Sequence, residues 1–415
     1  MEGPKKFYSV FKNMLLLIPA APFVFMLRIL QPFIVIRLSA IDIGRIGSVR
    51  YVDWYLAECH AGKHKGYFDI FYFVKSTGIV SNRQWHKMWK RALHAPSLPL
   101  SGFLCFADKL NKQIPGFEPH KILVNSVLPV YNKKYTGLET LKCVLNYKQA
   151  PLAFTPEEEK SGQEMLEALG IPRAKPFICF HSRDSAYLDA VDSQMNWDYH
   201  DYRDSSIHNY VPAMEKMAQQ NGYYAIRMGA IVKEKLKTNN PFIIDYATSG
   251  KRTDFLDIYL GSKCRFFLCS DTGMSIIPEV FRTTVVYVNW SLLTRISTFV
   301  LDGLTIPKKV FSKKEGRFLT FYEIIHSEIG SCGYSQRFEE LGVELIENTP
   351  EEITAVTIEM EERLKGTWKA TQEDEELQQR FWRIFGPDKL RSPDLRMGTD
   401  YLRQNQILLN YGNRS

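Results

Sequence analysis

Residues 265–289 read RFFLCSDTGMSIIPEVFRTTVVYVN. An apolar run ends at Cys269, four small or polar residues turn the chain, SIIPEVFR (275–282) has helical spacing, and TVVYVN (284–289) is a second buried strand. Strand, tight turn, helix, strand is the unit of a parallel sheet. At the carboxyl edge of such a sheet, the turn formed by Ser270, Asp271, Thr272 and Gly273 would aim backbone N–H groups and a helix dipole at one point, where a phosphate or diphosphate can bind. Gly273 would allow close approach to the backbone. Glu279, two turns on, would reach ribose hydroxyls. An ordinary capped helix fits the same letters, because Ser, Asp and Thr are also the usual caps.

Upstream, the pattern repeats. PFICFHSRD (176–184) is strand then loop, NYVPAMEKMAQQNG (209–222) a helix stopped by Gly222, YYAIRMG (223–229) and FIIDYA (242–247) strands, and TDFLDIYLGSK (253–263) a helix. His181 and Arg183 leave the first of these strands and Arg227 ends the second. The two arginines could converge on one diphosphate, with His181 bonding substrate, or Arg227 could pair with Asp245. TPEEEKSGQEMLEALGIP (155–172) is a helix capped by Thr155 and stopped by Gly170, and it marks a boundary. Before it, FIVIRL (33–38), the loop 39–48, the helix 49–59, the strand 68–74 and the helix 81–93 open a second α/β unit. In that loop Asp42 is the one carboxylate, a candidate general base or a turn cap. Gly44 and Gly47 would let substrate approach, and Arg45 would add charge. The basic stretch 307–317 reads as solvated surface, and residues 350–382 as two closing helices.

A chain of 415 residues holds two or three domains, here an acceptor-side domain 32–170 and a domain 171–350, with an apolar segment 1–31 before them and closing helices and tail 351–415 after. A net charge of +7 is too mild for a dedicated nucleic-acid binder. Seven cysteines without a CxxC disfavour disulfides and thiolate zinc, which favours the cytoplasm. There is no GxxxxGK[ST], GxGxxG after a strand, HExxH, GxSxG or D-x-D, so neither cofactor nor metal is expected. The uncharged run 13–27, with Pro19 and Pro22 inside it and Lys5, Lys6 and Lys12 before it, is too short to span a bilayer. An interfacial anchor on the inner membrane or a helix buried on the protein or against a partner fits it better than a true membrane span.

FICFHSRDSAYL, IRMGA, DYATSGKRTDFLDIYLGSKCRFFLCSDTG and ENTPEEI together resemble a bacterial family of glycosyltransferases of the two-domain GT-B type, densely over 150–290. The SDTG turn is similar to the diphosphate-binding turn of lipopolysaccharide heptosyltransferases, and HSRD to the His-x-Arg strand end of GT-B fucosyltransferases. This resemblance implies two Rossmann-like domains facing across a cleft, with the closing helices packed back on the N-terminal one. It also implies a nucleotide-diphosphate sugar held by the C-terminal domain, a glycan or lipid-linked acceptor, metal-independent transfer in surface-polysaccharide biosynthesis, and peripheral membrane association. Family members tend to carry a histidine where this chain has Ser48. A nucleotide-sugar epimerase of similar build and a non-catalytic scaffold of a glycan assembly complex are the alternatives.

Overall fold

The computed structural model describes residues 18–122, 138–191, 196–296, 300–386 and 394–410. The first five residues of the apolar run and the three lysines before it lie outside these. Twelve strands occur among the described residues: β1 (Val35–Asp42), β2 (Tyr67–Val74), β3 (Phe177–His181), β4 (Tyr224–Arg227), β5 (Ile243–Ile244), β6 (Phe267–Cys269), β7 (Val285–Trp290), β8 (Leu304–Pro307), β9 (Lys309–Ser312), β10 (Arg317–Phe318), β11 (Val343–Ile346) and β12 (Arg396–Met397).

Seven of them form one parallel sheet in the order β12-β8-β7-β6-β3-β4-β5. The chain lays β3, β4 and β5 outward in one direction, then returns so that β6 pairs with the other side of β3. The carboxyl ends of β3 and β6 therefore flank the topological switch point, the place where open α/β sheets bind ligands because the two flanking loops diverge there. The central strands are almost wholly apolar, with only His181 and Asn289 near their carboxyl ends polar, as a sheet covered on both faces requires. Helix Val211–Asn221 stops at Gly222, whose φ of 65° only glycine adopts without cost.

The N-terminal part departs from the expectation of a second Rossmann-like sheet. Among the described residues it has two parallel strands, β1 and β2, in register from Val35↔Tyr67 to Asp42↔Val74. The proline-rich stretch after Ala95 supplies helix Leu98–Gln113, which starts with Pro99 in its first turn, rather than further strands. β1 also runs four residues beyond Leu38, so the loop begins only after Asp42.

The two parts share a core. Ile258, Ile276, Ile277 and Val280 from the C-terminal part are buried with Val49, Val52, Trp85, Met88 and Trp89. Across the same boundary Arg282 donates both Nη groups to Asp53, at 2.8 and 2.9 Å. Burial pushes the Asp53 carboxyl up despite that guanidinium. Helix Pro156–Ala168 bridges the parts: Thr155 and Glu158 form its capping box, while Glu158 also accepts from Gln84, Lys87 and Arg91 of helix Arg83–Ala92.

Two further expectations are corrected. The closing helices Pro350–Lys365 and Gln372–Ile384 bury Ile353, Val356, Met360, Leu377 and Phe381 in the core of the seven-stranded sheet, and β12 extends that sheet, so they belong to the C-terminal part. The stretch 307–317 forms the β9–β10 hairpin of a small antiparallel sheet ordered β10-β9-β11, with Lys308 buried against the carbonyls of Tyr202 and Asp204; only its second half, 313–317, is exposed as expected. No described helix is long and apolar enough to cross a membrane. The helix over 18–30 buries Ala20, Val24 and Leu27 against Leu38, Tyr72, Leu104 and Ala107.

Candidate active site

At the switch point a cavity of about 330 Å³ opens between the two parts. The N-terminal part lines it with Arg45, Ile46, Gly47, Ser48, Ser81 and Asn82. The C-terminal part adds His181 at the end of β3, Arg183 and Asp184 after it, Thr272 and Gly273 after β6, and Tyr187, His200, Arg203 and Arg252 from the connecting segments.

Four arginines thus face one small volume. Arg183 is 7% exposed, so it has been taken out of water at considerable cost. Its Nη1 donates to the His200 carbonyl and to Asp204, but its buried Nη2 has no partner among the described residues. Burial and the neighbouring Arg203 bring the guanidinium down to about 10, still charged at neutral pH. Arg203 spends Nη2 on the carbonyl and carboxylate of Asp271, and Arg252 spends Nη2 on Asp257, while the Nε of each is buried without a partner. Arg45 is exposed and lies with Cζ 5.4 Å from the Trp197 ring centroid. His200 is pushed down to about 4 by burial and by Arg203, Arg183 and Arg45, so it is a neutral ring held among cations. Buried N–H donors without partners, grouped around an open cavity, call for an anion with several oxygens.

The sequence-derived site residues divide sharply. His181, Arg183, Arg45, Gly47, Thr272 and Gly273 line the cavity. Ser270 is buried behind it, its Oγ accepting from the Arg183 backbone N–H at 2.9 Å, and Asp271 holds Arg203. These two position arginines. Arg227 does not converge with Arg183. It is buried one strand away, donating to the Glu234 carbonyl at 2.6 Å and paired with Asp245 at 3.4 Å. Glu279 is also absent from the cavity lining: its Oε1 accepts from Arg50, Ser275 and Tyr287 in a buried network. The helix after the SDTG turn is short, a 3₁₀ turn Gly273–Ser275 followed by Ile276–Val280, so its dipole contributes less than a long helix would.

The N-terminal loop is corrected as well. Asp42 does not line the cavity. Its two oxygens accept from Gly44 N–H (2.9 Å), Ser76 N–H (3.0 Å), Ser76 Oγ (2.6 Å) and Ser48 Oγ (3.2 Å). Burial would raise its carboxyl, but these donors outweigh that and hold it below the usual range. That makes Asp42 the clasp between two loops and a poor proton acceptor. Gly44 is small because a Cβ there would stand 2.9 Å from the Ser76 and Thr77 nitrogens. Gly47 is small because a Cβ would meet the Gly273 Cα at 3.1 Å. Each glycine lets one loop approach another, and Gly47 also lines the cavity.

Arg203, Arg252, His200 and Tyr187 were not singled out from the sequence. DYHDYRD (198–204) carries two of them, and its arginine and histidine line the cavity. Among the described residues no group of three His, Cys, Asp or Glu could hold a metal ion.

No family model and no curated protein matches the chain. Among solved structures it is similar to a glycosyl transferase family 9 protein from Veillonella parvula, at 12% identity and a TM-score of 0.28, covering 63% of this chain and 68% of that one. It is also similar to KpsC, a β-Kdo 2,4 transferase from Thermosulfurimonas dismutans, at 11% identity and a TM-score of 0.17, covering 35% of this chain and 49% of that one. At these scores the likeness leaves function to the chemistry of the cavity.

Proposed function

We propose that the chain is a glycosyltransferase that takes a nucleotide-diphosphate sugar into the arginine-lined cavity and moves the sugar to a hydroxyl of a glycan or lipid-linked acceptor of the bacterial cell surface. The observation that carries this reading is Arg183, which is buried at the switch point with Nη2 unpartnered among the described residues and lines the same cavity as Arg203. Glycosyl transfer from such a donor leaves a diphosphate whose charge grows as the anomeric bond breaks. Arginines fixed in a partly dry cavity stabilise that charge without reorganising, the part a divalent cation takes in D-x-D enzymes. Thr272 and Gly273 border the diphosphate, and Arg45 with the Ile46–Val49 turn forms the acceptor side.

The helix over 18–30 supports a peripheral membrane site. Its face away from the protein exposes Ile18, Phe25, Met26 and Ile29, and Phe33, Tyr67 and Phe68 at the amino ends of β1 and β2 continue the apolar surface. A lipid-linked acceptor at the cytoplasmic face of the inner membrane suits that surface. Liposome flotation of the full chain should show binding to anionic vesicles that falls several-fold in a Phe25→Ser, Phe33→Ser double variant.

The activity test incubates the protein with a panel of nucleotide-diphosphate sugars and extracts of envelope lipid and glycan. Acceptor-dependent release of free nucleoside diphosphate is expected. An isomerised donor without acceptor would assign the cavity to an epimerase instead.

A further inference from the structure

Sugar transfer to a hydroxyl needs a destination for the hydroxyl proton, and Asp42 cannot serve. The carboxylates that line the cavity are occupied too. Asp184 accepts from the Ala186 and Lys233 backbone N–H groups at 3.1 and 3.0 Å, one on each oxygen. Asp257 accepts from the Tyr246 hydroxyl at 3.0 Å and from Arg252 at 2.6 Å. His200 holds its Nδ1 buried without a partner and is too weakly basic to take a proton from an alcohol.

His181 is different. It is the last residue of β3, and its Nδ1 lies 3.0 Å from the Met228 carbonyl oxygen. A carbonyl oxygen only accepts, so Nδ1 carries the hydrogen and the neutral ring keeps its lone pair on Nε2. Nε2 has no protein partner among the described residues and is not among the buried unpartnered atoms, while the ring lines the cavity. The charged and titratable groups around it are Arg183 and Asp184 on its own loop, Arg227 on β4, and Arg203, His200, Arg252 and Arg45 around the cavity. Burial, with the arginines, lowers the ring below the ordinary histidine value, so it is neutral at physiological pH.

We propose that His181 is the general base of the transfer reaction, its Nδ1–H fixed on the Met228 carbonyl and its Nε2 open to the acceptor. This rests on the glycosyltransferase reading. In the step, the acceptor oxygen attacks the anomeric carbon as its proton passes to Nε2. The anomeric carbon–oxygen bond breaks with its electron pair leaving on the diphosphate, where Arg183 meets the new charge. The imidazolium then returns its proton to water.

The test combines imidazole nitrogen NMR on histidine-labelled full-length protein, with His181→Gln used to assign the signal, and steady-state transfer kinetics. A neutral ring protonated on Nδ1 at pH 7 is expected. Turnover in His181→Gln should fall 10²–10⁴-fold, the usual share of a general base. Nucleoside-diphosphate affinity should stay within about threefold, and the acid limb of the pH–rate profile should vanish. An Nε2–H tautomer, an unchanged rate, or a loss of affinity that accounts for the whole loss of turnover would each overturn the assignment. If the wild type binds no nucleoside diphosphate at all, the transferase reading falls first and takes this one with it. That outcome is told apart because it needs no variant.

Discussion

Arg183 and Arg227 stand at the carboxyl ends of neighbouring parallel strands of one sheet, and they have opposite fates. Arg227 is matched: a carbonyl and a carboxylate meet it inside the protein. Arg183 lines an open cavity beside three more arginines, with its Nη2 buried and without a partner among the described residues. The difference lies in topology. β4 is followed outward by β5, whose Asp245 stands next to the guanidinium, whereas β3 sits where the chain reverses and the loops on either side part. A charged side chain is structural or functional according to whether its strand has a neighbour on that side to satisfy it.

That contrast predicts different losses. Arg227→Met should cost about 3 kcal/mol of stability by taking the donor from the Glu234 carbonyl and the cation from the half-buried Asp245, read as a lower urea midpoint, with nucleoside-diphosphate affinity unchanged within twofold. A collapse of affinity with stability intact would erase the distinction. Arg183→Ala should weaken diphosphate binding by about 2–4 kcal/mol, some thirtyfold to a thousandfold, in calorimetry, with little change in the unfolding midpoint. Glu279→Gln should lower stability by about 1–3 kcal/mol, because Arg50 and Tyr287 lose their charged acceptor, and should leave nucleotide affinity alone. A change in affinity would return Glu279 to the ribose.

The smallest effect concerns acid. Burial would raise the Glu158 carboxyl, but Arg91, Lys87, Gln84 and the Thr155 N–H outweigh it and hold it at about 2. A carboxylate lowered on folding adds stability above its unfolded value, near 4.3, and loses it as pH falls towards 2. Circular dichroism of Glu158→Gln should therefore show a shallower decline between pH 5 and 2 than the wild type, whose bridging helix loses its tie to helix Arg83–Ala92 there.

The sequence made the C-terminal sheet legible because its signals are local: apolar runs of strand length, caps such as Thr253 and Thr349, and stops such as Gly222. It also located the cavity's edges, since strand ends and turns follow from those runs. What it could not decide was pairing. Whether Arg227, Glu279 and Asp42 meet a ligand or a neighbour depends on residues 18, 8 and 34 positions away, Asp245, Tyr287 and Ser76. Arg203 and Arg252 were hidden for the opposite reason: they sit in irregular segments with no periodicity, and only the fold brings them to the switch point. The glycines were recognised as close-approach positions, but the approaching partner proved to be another loop.

The most direct test is a thermal shift of the purified protein with UDP, GDP, ADP and CMP, with and without EDTA. One nucleoside diphosphate should raise the unfolding temperature to the same extent in both conditions, and Arg183→Ala should abolish the rise while Arg227→Met keeps it. No stabilisation by any of them, or stabilisation that Arg183→Ala leaves intact, would contradict a diphosphate site at the switch point.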